Sequence, residues 1–208
     1  MREVQALGAR ALLHRCDVSD DAGVRTMVAA CAREFGRLDV LVNAAGTTHF
    51  APADDLEAIT PEIWDRIFNV NVRGTFFVTR AAAPLLKRSG NGAVVNLASI
   101  AGLRPAAQVI PYAASKAAIV NMTVSFARLL APEVRVNAVA PGWMEGRWMR
   151  AALGADYDRL MEHRAQRTPL ARVATPDDVA QAILGLVEGN DFVTGQTVVI
   201  DGGYSIVA

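Results

Sequence analysis

Short runs of apolar, largely β-branched residues alternate with longer segments of helical periodicity along this chain. The runs that predict strands are residues 10–16, 40–43, 93–97, 134–139 and 197–200. Alternation of this kind is typical of a parallel sheet whose strands are joined by helices. The sequence therefore predicts an α/β fold.

Helix start signals agree with this order of elements. Thr60 and Thr175 each offer an N-cap hydroxyl and are followed by proline, and residues 19–21 look like a third cap. No internal repeat, low-complexity tract or long Pro/Gly/Ser-rich linker divides the 208 residues. We therefore expect a single domain.

The distribution of charge argues against partners that need a large basic surface. The 21 basic residues are scattered among 21 acidic ones, and the formal net charge is zero. No basic stripe suits a nucleic acid or an anionic membrane, and no segment approaches the length of a membrane span. We expect small neutral or modestly anionic molecules as partners.

Neither the cysteines nor the histidines have the spacing of a metal site. Cys16 and Cys31 fall inside apolar periodic segments, which favours packing over a disulfide or zinc framework. His14, His49 and His163 lie on separate segments, so we expect structural or solvated side chains and no metal. The first residues lack the pattern of a signal peptide, and the sequence predicts a cytoplasmic protein.

Small or polar residues follow four of the predicted strands. In open parallel sheets, ligands bind beyond the carboxyl ends of the strands, so these residues are candidates for one crevice. Turn formation explains any one of them equally well. They are Asp17 and Val18, residues 43–46, Ser99, and Pro141 with Gly142.

Tyr112 and Lys116 lie four residues apart at the start of a helical pattern that runs to Ala131. This spacing puts the phenol and the ammonium one turn apart on the same helix face. A nearby cation stabilises phenolate, so the pair predicts a tyrosine with a lowered pKa that acts as an acid/base catalyst. A surface Tyr–Lys pair is the alternative. The chain has only two lysines against 19 arginines, which suggests that Lys116 is chemically required.

In order and spacing, the joint pattern resembles the short-chain dehydrogenases/reductases, especially the bacterial 3-oxoacyl-acyl-carrier-protein reductases. The resemblance covers essentially the whole chain. It implies a single domain over residues 1–208 with a Rossmann-like, doubly wound parallel sheet, and an NAD(P)-dependent oxidoreductase. The matching segments are Asp17–Val18, Asn43–Gly46, Asn69–Val72, Ser99, Tyr112 with Lys116, Pro141–Gly142, Thr194–Gln196 and Asp201–Gly203.

The resemblance implies a role for each of four catalytic residues. Tyr112 would exchange a proton with the substrate oxygen, and Ser99 would donate a hydrogen bond to that oxygen. Lys116 would lower the pKa of Tyr112 and hold the ribose of the nicotinamide. Asn71 would anchor a water that links Lys116 to solvent; a polar position on an amphipathic helix is the alternative.

The resemblance also implies a site for NAD or NADP. Asp17 and Val18 would meet the adenine, residues 43–46 the ribose and diphosphate, and residues 141–144 the nicotinamide. The implied cofactor-binding residues are Asp17, Val18, Asn43, Ala44, Ala45, Gly46, Tyr112, Lys116, Pro141, Gly142 and Met144. Two positions depart from the family pattern, which usually has Asn in place of Ala44 and often Thr in place of Gly146.

The glycine-rich turn with which the family begins has no counterpart in this sequence. Residues 1–7 look like the end of the helix before the third strand of the family, so we expect an N-terminally truncated domain without the first two strands. In the strand order 3-2-1-4-5-6, those two strands separate residues 10–16 from residues 40–43. The residue that distinguishes NAD from NADP would lie in the same segment.

Several interpretations stay open at this point. The leading one is hydride transfer to or from a keto or hydroxyl group of a 3-oxoacyl thioester, a sugar or a secondary alcohol. A non-catalytic remnant or scaffold is the second, and a nucleotide-sugar epimerase is a third that the short C-terminal part disfavours. Residues 143–170 would form a substrate lid or an ordinary helix pair. The family also implies a homo-oligomer, a dimer or tetramer, through helices at residues 60–88 and 113–130.

Overall fold

Four parallel strands form one sheet in the computed structural model, which describes residues 2–51, 55–106 and 109–207. The strands are β1 (Val40–Asn43), β2 (Gly92–Leu97), β3 (Val134–Pro141) and β4 (Thr197–Ile200). They lie side by side in chain order, with Val42 of β1 opposite Val95 of β2 and Val139 of β3 opposite Val198 of β4. The predicted α/β fold with a parallel sheet is confirmed.

Helices connect the strands and cover both faces of the sheet. They are α1 (Arg2–Ala6), α2 (Asp21–Phe35), α3 (Pro61–Phe68), α4 (Thr75–Ser89), α5 (Ile110–Leu130), α6 (Arg147–Leu153), α7 (Tyr157–Gln166), α8 (Pro176–Glu188) and α9 (Tyr204–Val207). Val94 packs with α4 and α5 on one face, whereas its neighbour Val95 packs with α8 on the other. Successive side chains of a strand point to opposite faces, so β2 is buried on both.

The predicted helix starts agree with the structure. Asp20 caps α2 by accepting hydrogen bonds from the amides of Ala22 and Gly23 at 3.1 and 3.2 Å. Thr175 and Asp178 form a reciprocal capping box at the start of α8. Thr60 occupies the N-cap position of α3 with an extended backbone, but its hydroxyl makes no capping hydrogen bond to this helix. None of the described helices is long and apolar enough to span a membrane.

The prediction of a strand at residues 10–16 is wrong. This segment is irregular and has no ladder partner among the described residues, and Leu13 is 76% exposed. β1 pairs with β2 alone within the described part of the chain, and its Val40 and Val42 are more than a third exposed. A strand depends on a hydrogen-bonded neighbour, so an apolar β-branched run is not sufficient by itself.

The predicted helix over residues 60–88 is continuous but not uniform. Between α3 and α4, residues Asn69–Gly74 form a π-helical turn, an insertion that is frequent at functional sites. Gly74 lies against Val18, and a Cβ at this glycine would stand 2.6 Å from Cγ2 of Val18. The widened turn contains Asn71, which is fully buried.

Arg135 fixes the end of α8 to β3. Its side chain is buried, and its guanidinium donates hydrogen bonds to the carbonyl oxygens of Leu186, Val187 and Asn190 at 2.7 to 3.1 Å. These carbonyls belong to the last turn of α8 and the loop after it. A cation at this position satisfies acceptors that the helix itself leaves open.

Arg135→Met is expected to lower the free energy of unfolding by about 3 kcal/mol, because the apolar part of the side chain stays while one buried and two partly buried hydrogen bonds from a charged donor are lost. Arg33→Met, at an exposed position of α2, is the control and should change stability by less than about 0.5 kcal/mol. Urea unfolding monitored by circular dichroism measures both. A loss below about 1 kcal/mol for Arg135→Met would show that these hydrogen bonds contribute little.

Candidate active site

A cavity of about 920 Å³ opens where the strands end. Its size is within the range of small-molecule sites, and it lies beyond the carboxyl edge of the sheet, where ligands of parallel sheets bind. Eight of the predicted site residues line it. These are Ala44, Gly46, Ser99, Tyr112, Lys116, Pro141, Gly142 and Met144.

Lys116 is the buried cation of this cavity. Its side chain comes from the second turn of α5, and Nζ donates a hydrogen bond to the carbonyl oxygen of Leu97, at the end of β2, over 2.6 Å. The residue is only 4% exposed, and burial lowers the pKa of the ammonium to about 8. An ammonium has three N–H donors, so two remain available to a ligand.

Tyr112 stands one turn before Lys116, with Lys116 Nζ 5.5 Å from the centre of the phenol ring. Burial raises the pKa of Tyr112, and a hydrogen bond with the side chain of Ser99 partly opposes this rise. The net direction is opposite to the lowering that we expected. Removing the phenolate from water outweighs the stabilisation by neighbouring groups, because desolvation disfavours the charged form.

Ser99 is positioned by the short 3₁₀ turn that follows β2, at Ile100–Gly102. Its Oγ accepts a hydrogen bond from the amide of Ala101 at 3.2 Å, which fixes the hydroxyl at the start of the turn. Gly102 allows this turn to lie directly on α5, since a Cβ there would stand 2.6 Å from the carbonyl carbon of Lys116. Ser99 and Tyr112 are thereby held together at the cavity wall.

Asn71 connects three segments around the site. Its Nδ2 donates to the carbonyl oxygen of Thr47 at 3.0 Å and to Ser115 Oγ at 2.9 Å, and its Oδ1 accepts from the amide of Thr47 at 2.8 Å. Ser115 Oγ donates in turn to the carbonyl oxygen of Tyr112. Asn71 is thus a buried, hydrogen-bonded residue that holds the loop after β1 against the first turns of α5, rather than a polar spot on a helix surface.

Gly46 and Gly142 let the backbone approach closely at two strand ends. A Cβ at Gly46 would stand 3.4 Å from Asn71 Oδ1 and 3.7 Å from Lys116 Nζ, so it would occupy space in front of both groups. A Cβ at Gly142 would stand 2.6 Å from that of Asp201, after β4. Gly142 therefore requires glycine for the observed packing, whereas at Gly46 the lack of a side chain keeps the space in front of Asn71 and Lys116 open.

The other predicted cofactor residues lie outside the cavity lining. Asn43 Nδ2 donates to Thr79 Oγ1 at 3.0 Å and to Asn96 Oδ1 at 2.8 Å, so this side chain is held between β1 and its neighbours. Asp17 is exposed, and hydrogen bonds from Ser19 lower the pKa of its carboxyl group. Val18 contacts Gly74, and Ala45 is exposed.

Several lining residues have no counterpart among the residues predicted from sequence. Trp148 of α6 faces Tyr112, with ring centres 6.3 Å apart, and lies within the predicted lid. Arg164 and Tyr204 also line the cavity, as do Arg104 and Val109. Tyr204 directly follows the Asp201–Gly203 motif, and Arg164, like Trp148, lies within the predicted lid, but neither position carries a signal of its own.

The donors present fit the nicotinamide half of the expected cofactor. The ammonium of Lys116 has hydrogen-bonding capacity left for ribose hydroxyls, and the absence of a side chain at Gly46 leaves space before it. In the described part of the chain, no group of three or more His, Cys, Asp or Glu residues is arranged to hold a metal ion. Cys16 and Cys31 are free thiols.

Comparisons with known proteins identify the family. A family model described as enoyl-(acyl carrier protein) reductase matches residues 1–205. "Granaticin polyketide synthase putative ketoacyl reductase 2" of Streptomyces violaceoruber is 49% identical over 194 residues, which cover 93% of this chain and 76% of that protein. The 3-oxoacyl-[acyl-carrier-protein] reductase FabG of Thermotoga maritima is 37% identical, over 99% of this chain and 82% of its own length.

A solved structure agrees with these relatives. The gluconate 5-dehydrogenase of Burkholderia cenocepacia, in complex with NADP and tartrate, superposes with a TM-score of 0.90 and 30% identity, over 100% of this chain and 80% of that chain. The chain therefore belongs to the short-chain dehydrogenase/reductase family, whose NAD(P)-dependent enzymes act on hydroxyl and keto groups, and it is one of these enzymes.

Proposed function

We propose that this enzyme interconverts a keto group and a secondary alcohol, with Tyr112 as the general acid/base. One observation carries the proposal: the hydroxyls of Ser99 and Tyr112 are hydrogen-bonded at the wall of the cavity, with the ammonium of Lys116 5.5 Å from the phenol ring. When their mutual hydrogen bond is exchanged for bonds to a substrate, these two adjacent hydroxyls suit the single oxygen of a carbonyl group, on which negative charge develops during reduction.

In the reductive direction, a bound nicotinamide cofactor, held at its ribose by Lys116, would supply the hydride that the carbonyl carbon accepts. Ser99 orients the carbonyl oxygen, and Tyr112 Oη gives its proton to that oxygen as the new C–H bond forms, which leaves an alcohol and a phenolate. The phenolate then regains a proton from solvent. In oxidation, the same groups work in reverse, and Tyr112 Oη takes the hydroxyl proton.

Lys116 and Asn71 support this step in different ways. The ammonium of Lys116 stabilises the transient phenolate and provides donors for the ribose hydroxyls. Asn71 positions the loop of residues 44–47 beside Lys116 through its hydrogen bonds to Thr47 and Ser115. These bonds occupy the amide group of Asn71. The proposed water that connects Lys116 to solvent would therefore lie beside Asn71, and the proton would not pass through the amide.

The substrate that we propose is a small ketone or alcohol: a 3-oxoacyl thioester, a sugar or a secondary alcohol. The lining of the cavity combines apolar side chains, among them Ile100, Val109 and Met149, with the hydroxyls of Ser99 and Tyr112. The names of the relatives cover 3-oxoacyl thioester reduction as well as gluconate oxidation. We also propose a cytoplasmic location, because a reducing compartment maintains free thiols such as Cys16 and Cys31.

A non-catalytic scaffold that keeps the family fold is the competing function. Fluorescence titration with NADH and NADPH distinguishes the two. Saturable binding of either cofactor supports the enzyme, whereas binding of neither, together with no turnover, supports the scaffold.

Tyr112→Phe is expected to lower kcat for ketone reduction by about 10²- to 10⁴-fold, because it removes the proton donor and leaves the ring in place. Cofactor affinity should change little. Reduction of a panel of 3-oxoacyl thioesters with NADH or NADPH gives the measurement. Tyr157→Phe is a matched control: its hydroxyl accepts from the amide of Gly146 at 3.3 Å and does not line the cavity. Turnover of Tyr112→Phe at the level of the control would remove Tyr112 from the mechanism.

Cofactor affinity is expected to fall as pH rises through about 8, because Lys116 has its pKa lowered to about 8 and loses the ammonium charge above this value. Fluorescence titrations at several pH values measure the dissociation constant. Lys87→Met, at the only other lysine, should keep the pH dependence, whereas Lys116→Met should bind weakly at every pH. An affinity of the parent protein that stays constant from neutral pH to about pH 10 would contradict this role of Lys116.

We further propose that the enzyme is a homo-oligomer, a dimer or tetramer, that associates through α4 and α5. Phe76 on α4 stacks with Phe126 on α5, which joins the two helices, and Phe76 remains 39% exposed. Val124 and Leu129 on α5 are 53% and 69% exposed. Large apolar side chains exposed together are typical of association surfaces.

Leu129→Glu is expected to shift the protein towards monomers, because it places a charge within the proposed interface. Size-exclusion chromatography with light scattering gives the molar mass. Leu184→Glu, on α8 at the other face of the sheet, is the control and should leave the mass unchanged. A monomeric parent protein, or equal masses for the parent and Leu129→Glu, would exclude association through α5.

A further inference from the structure

We propose that Arg164 binds an anionic group of the substrate, so that the enzyme acts on keto or hydroxy compounds that carry a carboxylate or a similar anion. The inference rests on the proposed function, because it assigns a second recognition point within the same cavity. Arg164 lies on α7 and lines the cavity together with Ser99 and Tyr112.

Two aromatic rings hold the guanidinium of Arg164 in place. Its central carbon lies 4.5 Å from the ring centre of Trp143 and 5.9 Å from that of Tyr204. Nη1 donates a hydrogen bond to Tyr204 Oη at 2.8 Å. Stacking on aromatic faces fixes an arginine without using most of its five N–H donors, so the group is preorganised for a ligand.

The charge of Arg164 lacks a carboxylate partner within the described part of the chain. Two other arginines of this region are paired: Arg159, on the same helix, forms a salt bridge with Asp156, and Arg150 pairs with Asp158. Nε of Arg164 is buried without a hydrogen-bond partner among the described residues. A buried or half-buried cation is costly unless it is paired, and a bound anion would supply the missing partner.

The lining of the cavity carries more basic than acidic side chains. Among the described residues that line it, four are basic and one is acidic. The basic residues are Arg104, Lys116, Arg147 and Arg164, and the acidic one is Glu145, which is exposed. A cleft with one predominant sign of charge concentrates ligands of the opposite sign, although the protein as a whole has a formal net charge of zero.

A purely structural role is the alternative for Arg164, since its bond to Tyr204 also fastens α9 to α7. The two roles differ in what they predict for substrate choice. A structural residue affects charged and neutral substrates alike, whereas an anion-binding residue selectively favours the charged one. The cofactor phosphates are a second possible anion, and cofactor affinity distinguishes them from the substrate.

The test compares the parent protein with Arg164→Gln and Arg164→Lys, and with Arg159→Gln as a matched control on the same helix. The probes are acetoacetate and levulinate, each measured against its methyl ester, with NADH or NADPH as the reductant. We expect Arg164→Gln to lower kcat/KM for the two acids by about tenfold to a hundredfold and to change the values for the esters by less than about threefold. Arg164→Lys should recover part of the loss, and Arg159→Gln should behave like the parent.

Binding without turnover provides a second measurement. Trp143 lies against Arg164, so quenching of tryptophan fluorescence by levulinate without cofactor should report on the anion, and Arg164→Gln should abolish it. If the parent binds levulinate in this way but reduces none of the probes, the anion site stands and the proposed reduction fails.

Three results would overturn the assignment. One is an equal loss for acids and esters in Arg164→Gln, which would indicate a structural residue. Another is a loss of NADH or NADPH affinity in Arg164→Gln with unchanged selectivity between acid and ester, which would show that Arg164 binds the cofactor phosphates instead of the substrate. The third is a parent protein that neither binds levulinate nor prefers the acids over their esters.

Discussion

The buried ammonium of Lys116 is the group around which the rest of the site is assembled. Its hydrogen bond to the carbonyl oxygen of Leu97 joins α5 to the end of β2, and Gly102 lets the turn that carries Ser99 lie on the same stretch of α5. A charge out of water is costly, and the fall of the pKa to about 8 expresses that cost. The fold retains it because a desolvated cation acts far more strongly on a neighbouring phenol than a solvated one does.

A second constraint comes from the π-helical turn between α3 and α4. Asn71 lies within it and satisfies both its amide nitrogen and its oxygen through Thr47 and Ser115, while Ser115 bonds to the carbonyl oxygen of Tyr112. The loop after β1 and the first turns of α5 are thereby connected through one buried side chain. A fully satisfied buried network has little freedom to rearrange. The relative positions of Gly46, Lys116 and Tyr112 are therefore fixed before any ligand binds.

The parts of the fold that depend on local pattern are predictable from the sequence, and those that depend on distant partners are not. Tyr112 and Lys116 meet because they are four residues apart on one helix, which the sequence states directly. Residues 10–16 have the composition of a strand but no neighbour in the described sheet, and composition does not reveal a neighbour. Arg164 reaches the cavity only because α7 packs beside residues that follow β3 and β4, a contact without a local signal.

The direction of the Tyr112 pKa shift also depends on contacts between distant segments, and it decides the protonation state of the proposed catalytic group. The sequence places a cation beside the phenol, but burial of the phenol, which no motif encodes, raises the pKa, and the hydrogen bond with Ser99 opposes this rise only in part. Tyr112 is therefore protonated at neutral pH, as the proposed acid of ketone reduction must be. The proposed alcohol oxidation needs phenolate instead, which the ammonium of Lys116 would stabilise. Above about pH 8 that ammonium loses its charge, so phenolate forms less readily than it would beside a permanent cation. The rate of alcohol oxidation should therefore rise less steeply with pH than the ionisation of an isolated phenol predicts.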